Sequence, residues 1–130
     1  MQIYGREVGF RFTVGTSAKI SDLCPDGDIT RLGEVLEGSY GKVVRDTAAI
    51  IVAMSEGYAA ALPFETFGRA DIGGDWIPPR PLTVDEVLSL RESEFIQLQQ
   101  AALAAWAEDS KPTVEVEPEK KESGKAQASS

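Results

Sequence analysis

Histidine is absent from the 130-residue sequence, cysteine occurs once, and nowhere do Lys and Arg gather into a run. Each absence removes a class of chemistry. Without an imidazole there is no Ser-His-Asp or Cys-His catalytic unit and no histidine metal ligand, so only carboxylate, lysine and tyrosine chemistry stays open. A lone thiol, Cys24, closes no intramolecular disulfide, and no spaced cysteine set suggests zinc or an iron–sulfur cluster; a reducing compartment fits best. Cations are outnumbered, 13 Lys/Arg against 21 Asp/Glu for a net charge of −8. Duplex binding draws most of its affinity from clustered cations that release counterions, so nucleic acid is not expected as a partner. The start, Met1 to Glu7, lacks the basic and apolar regions of a signal peptide. No segment reads as ~18 consecutive apolar residues, so a cytosolic chain without a membrane partner is expected.

What is present is enough for one core, because 42% of the residues are hydrophobic. Val8, Phe10, Phe12 and Val14 alternate with Gly9, Arg11 and Thr13, the period of a half-buried strand. Gln2 to Tyr4 precede them across a Gly5-Arg6 turn, so a β-hairpin over residues 1–14 is expected to open the fold. The period then becomes helical. Thr16 or Ser17 caps a short helix carrying Ile20 and Leu23 that ends at Pro25, and Asp28 or Thr30 caps another with Leu32, Val35 and Leu36 inward, closed by Gly38. Ser39 begins the strongest helix, where Val43, Val44, Thr47, Ala48, Ile51, Met54 and Tyr58 recur at three- and four-residue steps. Residues 63–81, rich in Gly and Pro, read as a long connection. Thr83 and Glu86 then form a capping box with Leu82 and Val87 as a hydrophobic staple. Ser93 opens a last helix with Phe95, Leu98, Gln99, Ala102 and Trp106 on one face, widened by Ile96 and Leu103. From Asp109 to Ser130 only Val114 and Val116 are sizeable apolar groups, so a disordered polar tail is expected. That tail holds four lysines against five acids, which leaves nine cations against sixteen carboxylates in residues 1–108. The fold class that follows is mainly α (α+β): one domain over 1–108, an N-terminal β-hairpin packed on about five helices, and a tail over 109–130.

The motifs that invite chemistry have plainer readings. Asp26, Asp28, Thr30 and Glu37 fall at calcium-loop positions counted from Asp26, but Arg31 stands where that loop needs glycine, so a turn followed by a helix cap is the better account. Asp85/Glu86 and Glu92/Glu94 resemble acid–base pairs, yet both lie in first helical turns, where exposed backbone N–H groups favour negative side chains. Gly73-Gly74 has neither phosphate-loop spacing nor a following Lys-Ser/Thr, and Cys24 beside Ile20 and Leu23 reads as a small buried hydrophobe. No catalytic residue, metal site or cofactor is expected, although several acids gathered near Arg69 or Arg80 would favour an enzyme. The residues set apart are apolar and suggest a protein interface: Phe64, Phe67, Trp76 and Ile77 in the long connection, and Leu103 and Trp106 on the last helix.

The opening Ile3-x-Gly5-x-Glu7 with Phe10-Arg11-Phe12-Thr13, the Thr16-Ser17 helix start, the Leu82-Thr83-x-Asp85-Glu86-Val87 element and the polar acidic tail together resemble the tail assembly chaperones of long-tailed bacteriophages and related prophages. The likeness runs through most of residues 1–108. It implies a small, acidic, mostly helical, non-enzymatic protein of the bacterial host cytoplasm that binds the tape-measure protein and keeps it soluble during tail morphogenesis. It also implies self-association along that client, and contact with the tail tube protein through a longer product made by ribosomal frameshifting, for which codons of Glu119-Lys120-Lys121-Glu122 would supply an A-rich slippery run. The residue 63–81 segment matches no feature of that family. A structural minor tail or connector subunit of the virion, using the hairpin to extend a neighbour's sheet, is the alternative.

Overall fold

A computed structural model describes residues 1–68, 74 and 76–111. Two short strands, β1 (Gln2–Ile3) and β2 (Arg6–Glu7), pair antiparallel in the register Gln2↔Glu7 and Ile3↔Arg6. Tyr4 and Gly5 turn between them with φ of 51° and 79°, a geometry glycine adopts without cost. Five α-helices follow: α1 (Val14–Ser21), α2 (Leu32–Val35), α3 (Tyr40–Phe67), α4 (Val84–Leu88) and α5 (Glu92–Asp109). Short 3-10 turns at Pro25–Gly27 and Ile29–Arg31 join α1 to α2. The mainly helical class with an N-terminal hairpin is therefore the observed one.

The hairpin is shorter than the alternation of residues 8–14 suggests. Val8 and Phe10 are buried and Phe12 packs against the core, so the period of two reads the correct face, but α3 and α5 rather than a second strand cover it. Val14 breaks the pattern. Thr13, not Thr16 or Ser17, caps α1, its hydroxyl accepting from the Thr16 N–H at 3.1 Å, so Val14 enters the helix and stays 90% exposed. Thr16 is buried instead, donating to the Arg11 carbonyl at 3.1 Å. Leu23 and Leu36 also lie at the surface rather than inside, because α1 and α2 end before either can turn inward.

Helix α3 is the spine. Ser39 caps it as expected, and its buried set from Thr47 to Gly57 meets α1, α4 and α5 on successive sides. It is 28 residues long with a mean hydropathy of 1.3 over its most apolar window, which is long and apolar enough to cross a bilayer, but half of that window is buried within the fold. Ser55, Glu56 and Gly57 interrupt the apolar residues of α3, so the expectation that no ~18-residue run is continuously apolar holds. Pro63 does not begin a loop. It sits buried inside the last turns of α3, costing one backbone hydrogen bond, and the helix ends at Gly68 with φ 76°.

The chain then returns along α3. Leu82 is pinned where its N–H donates to the buried Ser55 hydroxyl at 3.0 Å. The capping box of Thr83 and Glu86 and the staple of Leu82 and Val87 form as the sequence indicates, both staple residues being buried. By Leu90 and Glu92 the chain is again beside Tyr40 and Val44, so α5 starts level with the start of α3 and runs parallel to it. Arg91 is the N-cap of α5 and Ser93 lies inside its first turn; Glu94 reaches back to the Arg91 N–H at 2.9 Å, which replaces the expected serine cap. Asp109, read as the start of the tail, belongs to the fold: its carboxylate accepts from the Phe12 N–H at 2.8 Å. The expected disorder falls on residues 112–130, outside the described residues.

Candidate functional site

The parallel course of α3 and α5 leaves a trough between them. Its floor is Thr47, Ile50, Ile51 and Met54 of α3; one wall is Leu32 of α2 and Leu36 at its C-cap, the other Gln99, Leu103 and Trp106 of α5. This compartment encloses about 340 Å³, and an adjoining one of about 320 Å³ continues between Val43, Val44, Phe95 and Ile96 toward Tyr40. Thr47 and Gln99 border both. From Tyr40 to Met54 the trough is about 21 Å long, four helical turns at about 1.5 Å per residue. It exists because α2 is a single turn, too short to fill the space above Ile50, while Ile96 and Leu103 lean outward on α5.

The six residues singled out as an interface divide between two places. Leu103 and Trp106 wall the trough. Trp106 is also tied into the fold, stacked on Phe12 with ring centroids 4.2 Å apart and planes inclined by 16°. Phe64, Phe67, Trp76 and Ile77 stand at the far end of α3. There Phe67 meets Trp76 edge to face at 5.4 Å, while Phe64 stays 57% and Ile77 84% exposed. Phe64 and Phe67 are helical, not part of a loop. Sequence reading missed Leu32, Leu36 and Ile50 as site residues, because all of them lie on or at the end of helices whose apolar positions it assigned to the core or left unassigned.

The polar residues that invited chemistry in the sequence are engaged structurally where they are described. Arg31 donates to both Asp26 (2.9 Å) and Glu34 (2.8 Å), and Asp28 caps the second 3-10 turn, so the calcium-like segment is closed by its own arginine. No group of acids, cysteine or histidine with metal-holding geometry occurs among the described residues. Asp28 and Glu34 are held below the usual carboxylate range, Asp28 by its bonds from Thr30 and Glu34 by the Arg31 guanidinium. Among the described residues, Arg80 approaches one carboxylate, Glu86 at 3.8 Å; Arg69 lies outside them. Burial pushes the Cys24 thiol up, and its sulfur donates to the Ile20 carbonyl at 3.4 Å, as a small buried hydrophobe would. Comparison with protein families, curated proteins and solved structures returns no match.

Proposed function

We propose that this chain is a non-enzymatic tail assembly chaperone that acts in the cytoplasm of a bacterial host, holding an amphipathic helical segment of a tape-measure protein. The observation that carries the reading is the open apolar trough along α3. Its length suits four turns of helix, and helix-in-groove recognition places apolar anchors at i, i+3, i+4 and i+7 into such a channel. The two apolar compartments accept those anchors, and Thr47 and Gln99 between them offer a hydroxyl and an amide to a polar residue in the middle of the client face. A net charge of −8 keeps a loaded complex dispersed in solution. Each contact is modest, so a long repetitive client is bound by many copies acting together.

Co-expression with helical fragments of a candidate tape-measure protein tests the reading. The native chain is expected to hold the fragment in the soluble fraction. Leu36→Glu, on the trough wall but exposed, is expected to lose that effect with an unchanged unfolding midpoint. Equal solubility with and without the chain would remove the proposal. Mass spectrometry of finished particles distinguishes a chaperone, which is absent from them, from a minor tail or connector subunit, present in fixed copy number.

A further inference from the structure

Among the described helices, α5 holds the longest uncharged run. The thirteen residues 95–107 contain no charge, in a chain of which 26% is charged. Elsewhere the helices present Lys19, Glu34, Lys42, Arg45, Glu56, Glu65 and Asp85. Two apolar side chains stand out on this neutral face, Ile96 at 47% and Leu103 at 59% exposure. They are seven residues apart and so lie on one stripe two turns long. Gln99 and Gln100 fall midway between them, and Ala104 and Ala107 continue the stripe with small side chains that let another backbone come close.

We infer that this face of α5 pairs antiparallel with α5 of a second copy of the chain, about a two-fold axis passing between Gln99 and Gln100. The arrangement is self-complementary. Ile96 of one copy meets Leu103 of the other, twice, and Gln99 of each copy meets Gln100 of the other. An amide both donates and accepts, so two opposed glutamines satisfy each other, whereas two opposed carboxylates would repel. Charge selects the same face. Two molecules of net charge −8 repel over most approaches, and the neutral stretch is where they can touch without opposing carboxylates. One helix pair buries less than the roughly 1,200 Å² of stable specific complexes, so the dimer dissociates on dilution.

A consequence concerns the trough, and only this part rests on the function proposed above. Gln99 and Leu103 belong to its wall, so the second copy's α5 covers the mouth that a client helix would enter. Client and second copy then compete, and the dimer is the resting state of the carrier.

Sedimentation velocity of the full chain over a concentration series tests the pairing without any client. A reversible monomer–dimer equilibrium is expected. Ile96→Glu, and Leu103→Glu as a second variant, should raise the dissociation constant at least about tenfold while leaving the helical circular dichroism unchanged. The double variant Ile96→Glu/Leu103→Lys should restore the dimer, because antiparallel pairing sets each new glutamate against a lysine. A parallel pair would oppose glutamate to glutamate. A monomer at every concentration, a dimer indifferent to both glutamate variants, or a double variant that stays monomeric overturns the inference. Sedimentation is read without client, so these results decide the pairing alone, and Leu36→Glu, off α5, reports client binding separately.

Discussion

Arg6 grips Glu86 with two parallel hydrogen bonds, Nη2 to Oε1 at 2.8 Å and Nη1 to Oε2 at 3.1 Å, joining the hairpin to the start of α4 across 80 residues. The same guanidinium donates to the carbonyls of Arg80 and Pro81, at 3.2 and 2.9 Å. Glu86 Oε1 also accepts from the Thr83 N–H at 2.9 Å, so one carboxylate serves the latch and the helix cap together. The bonds from Arg6 and Thr83 lower its pKa from 4.5 to about 2.

A carboxylate with a folded pKa below its unfolded value contributes stability that is complete above the unfolded value and fades as pH falls through the folded one. Stability is therefore expected to drop between pH about 5 and about 2 as Glu86 is protonated. Urea unfolding at a series of pH values measures it. Glu7, Asp28 and Glu34 shift in the same direction, so the difference from Glu86→Gln isolates this residue. That variant is expected to cost about 1–3 kcal/mol at neutral pH and to flatten the acid slope.

Gly57 is the position where α3 tolerates no side chain. A Cβ there would lie 2.6 Å from the Arg11 carbonyl and closer still to the Thr16 hydroxyl. Backbone and a buried side chain are poor at yielding, so Gly57→Ala is expected to destabilise by about 1–3 kcal/mol despite its better helix propensity. Gly33, whose added Cβ meets nothing within 4 Å, is the control: Gly33→Ala should be neutral or slightly stabilising in the same denaturation assay.

Removing the Trp106 ring should uncover Phe12 and loosen the C-terminal half of α5. A loss of about 1–3 kcal/mol is expected for Trp106→Ala, measured by thermal unfolding. Phe64→Ala, at an exposed site, is expected to stay within about 0.5 kcal/mol of the native chain. The contrast separates the residue that holds the fold together from the one that decorates it.

Cys24 should react with a thiol reagent only after unfolding. Its thiol is buried and its pKa raised chiefly by that burial, which depletes the thiolate that attacks. Labelling rates against urea concentration are expected to follow the unfolding curve. Prompt labelling of the folded chain would contradict this burial.

Much of the fold was legible where local chemistry dictates local geometry. The Thr83–Glu86 box, the Leu82–Val87 staple and the Ser39 cap are short-range devices, and all three formed. Errors arose where a distant contact outweighed a neighbour. Pro63 looked like a helix stop, but burial against the core repays its missing hydrogen bond and α3 continues to Phe67. Thr16 looked like a cap, but it is drawn inward by the Arg11 and Ala53 carbonyls, and Thr13 caps instead. The candidate site was half legible. Leu103 and Trp106 follow from the stripe on α5, whereas the trough they wall depends on α3 and α5 running parallel, which no periodicity reveals.

That parallel course has an electrostatic price. Helices side by side in one direction bring their two partially positive dipole ends together, at Tyr40 and Glu92, where an antiparallel pair would have cancelled them. The Tyr40 hydroxyl donates to Glu92 at 3.3 Å, and Glu94 sits in the same first turn, so the acids at the start of α5 are the countercharge for both helices at once. Neutralising them should peel the amino end of α5 away from α3 before the rest of the molecule opens.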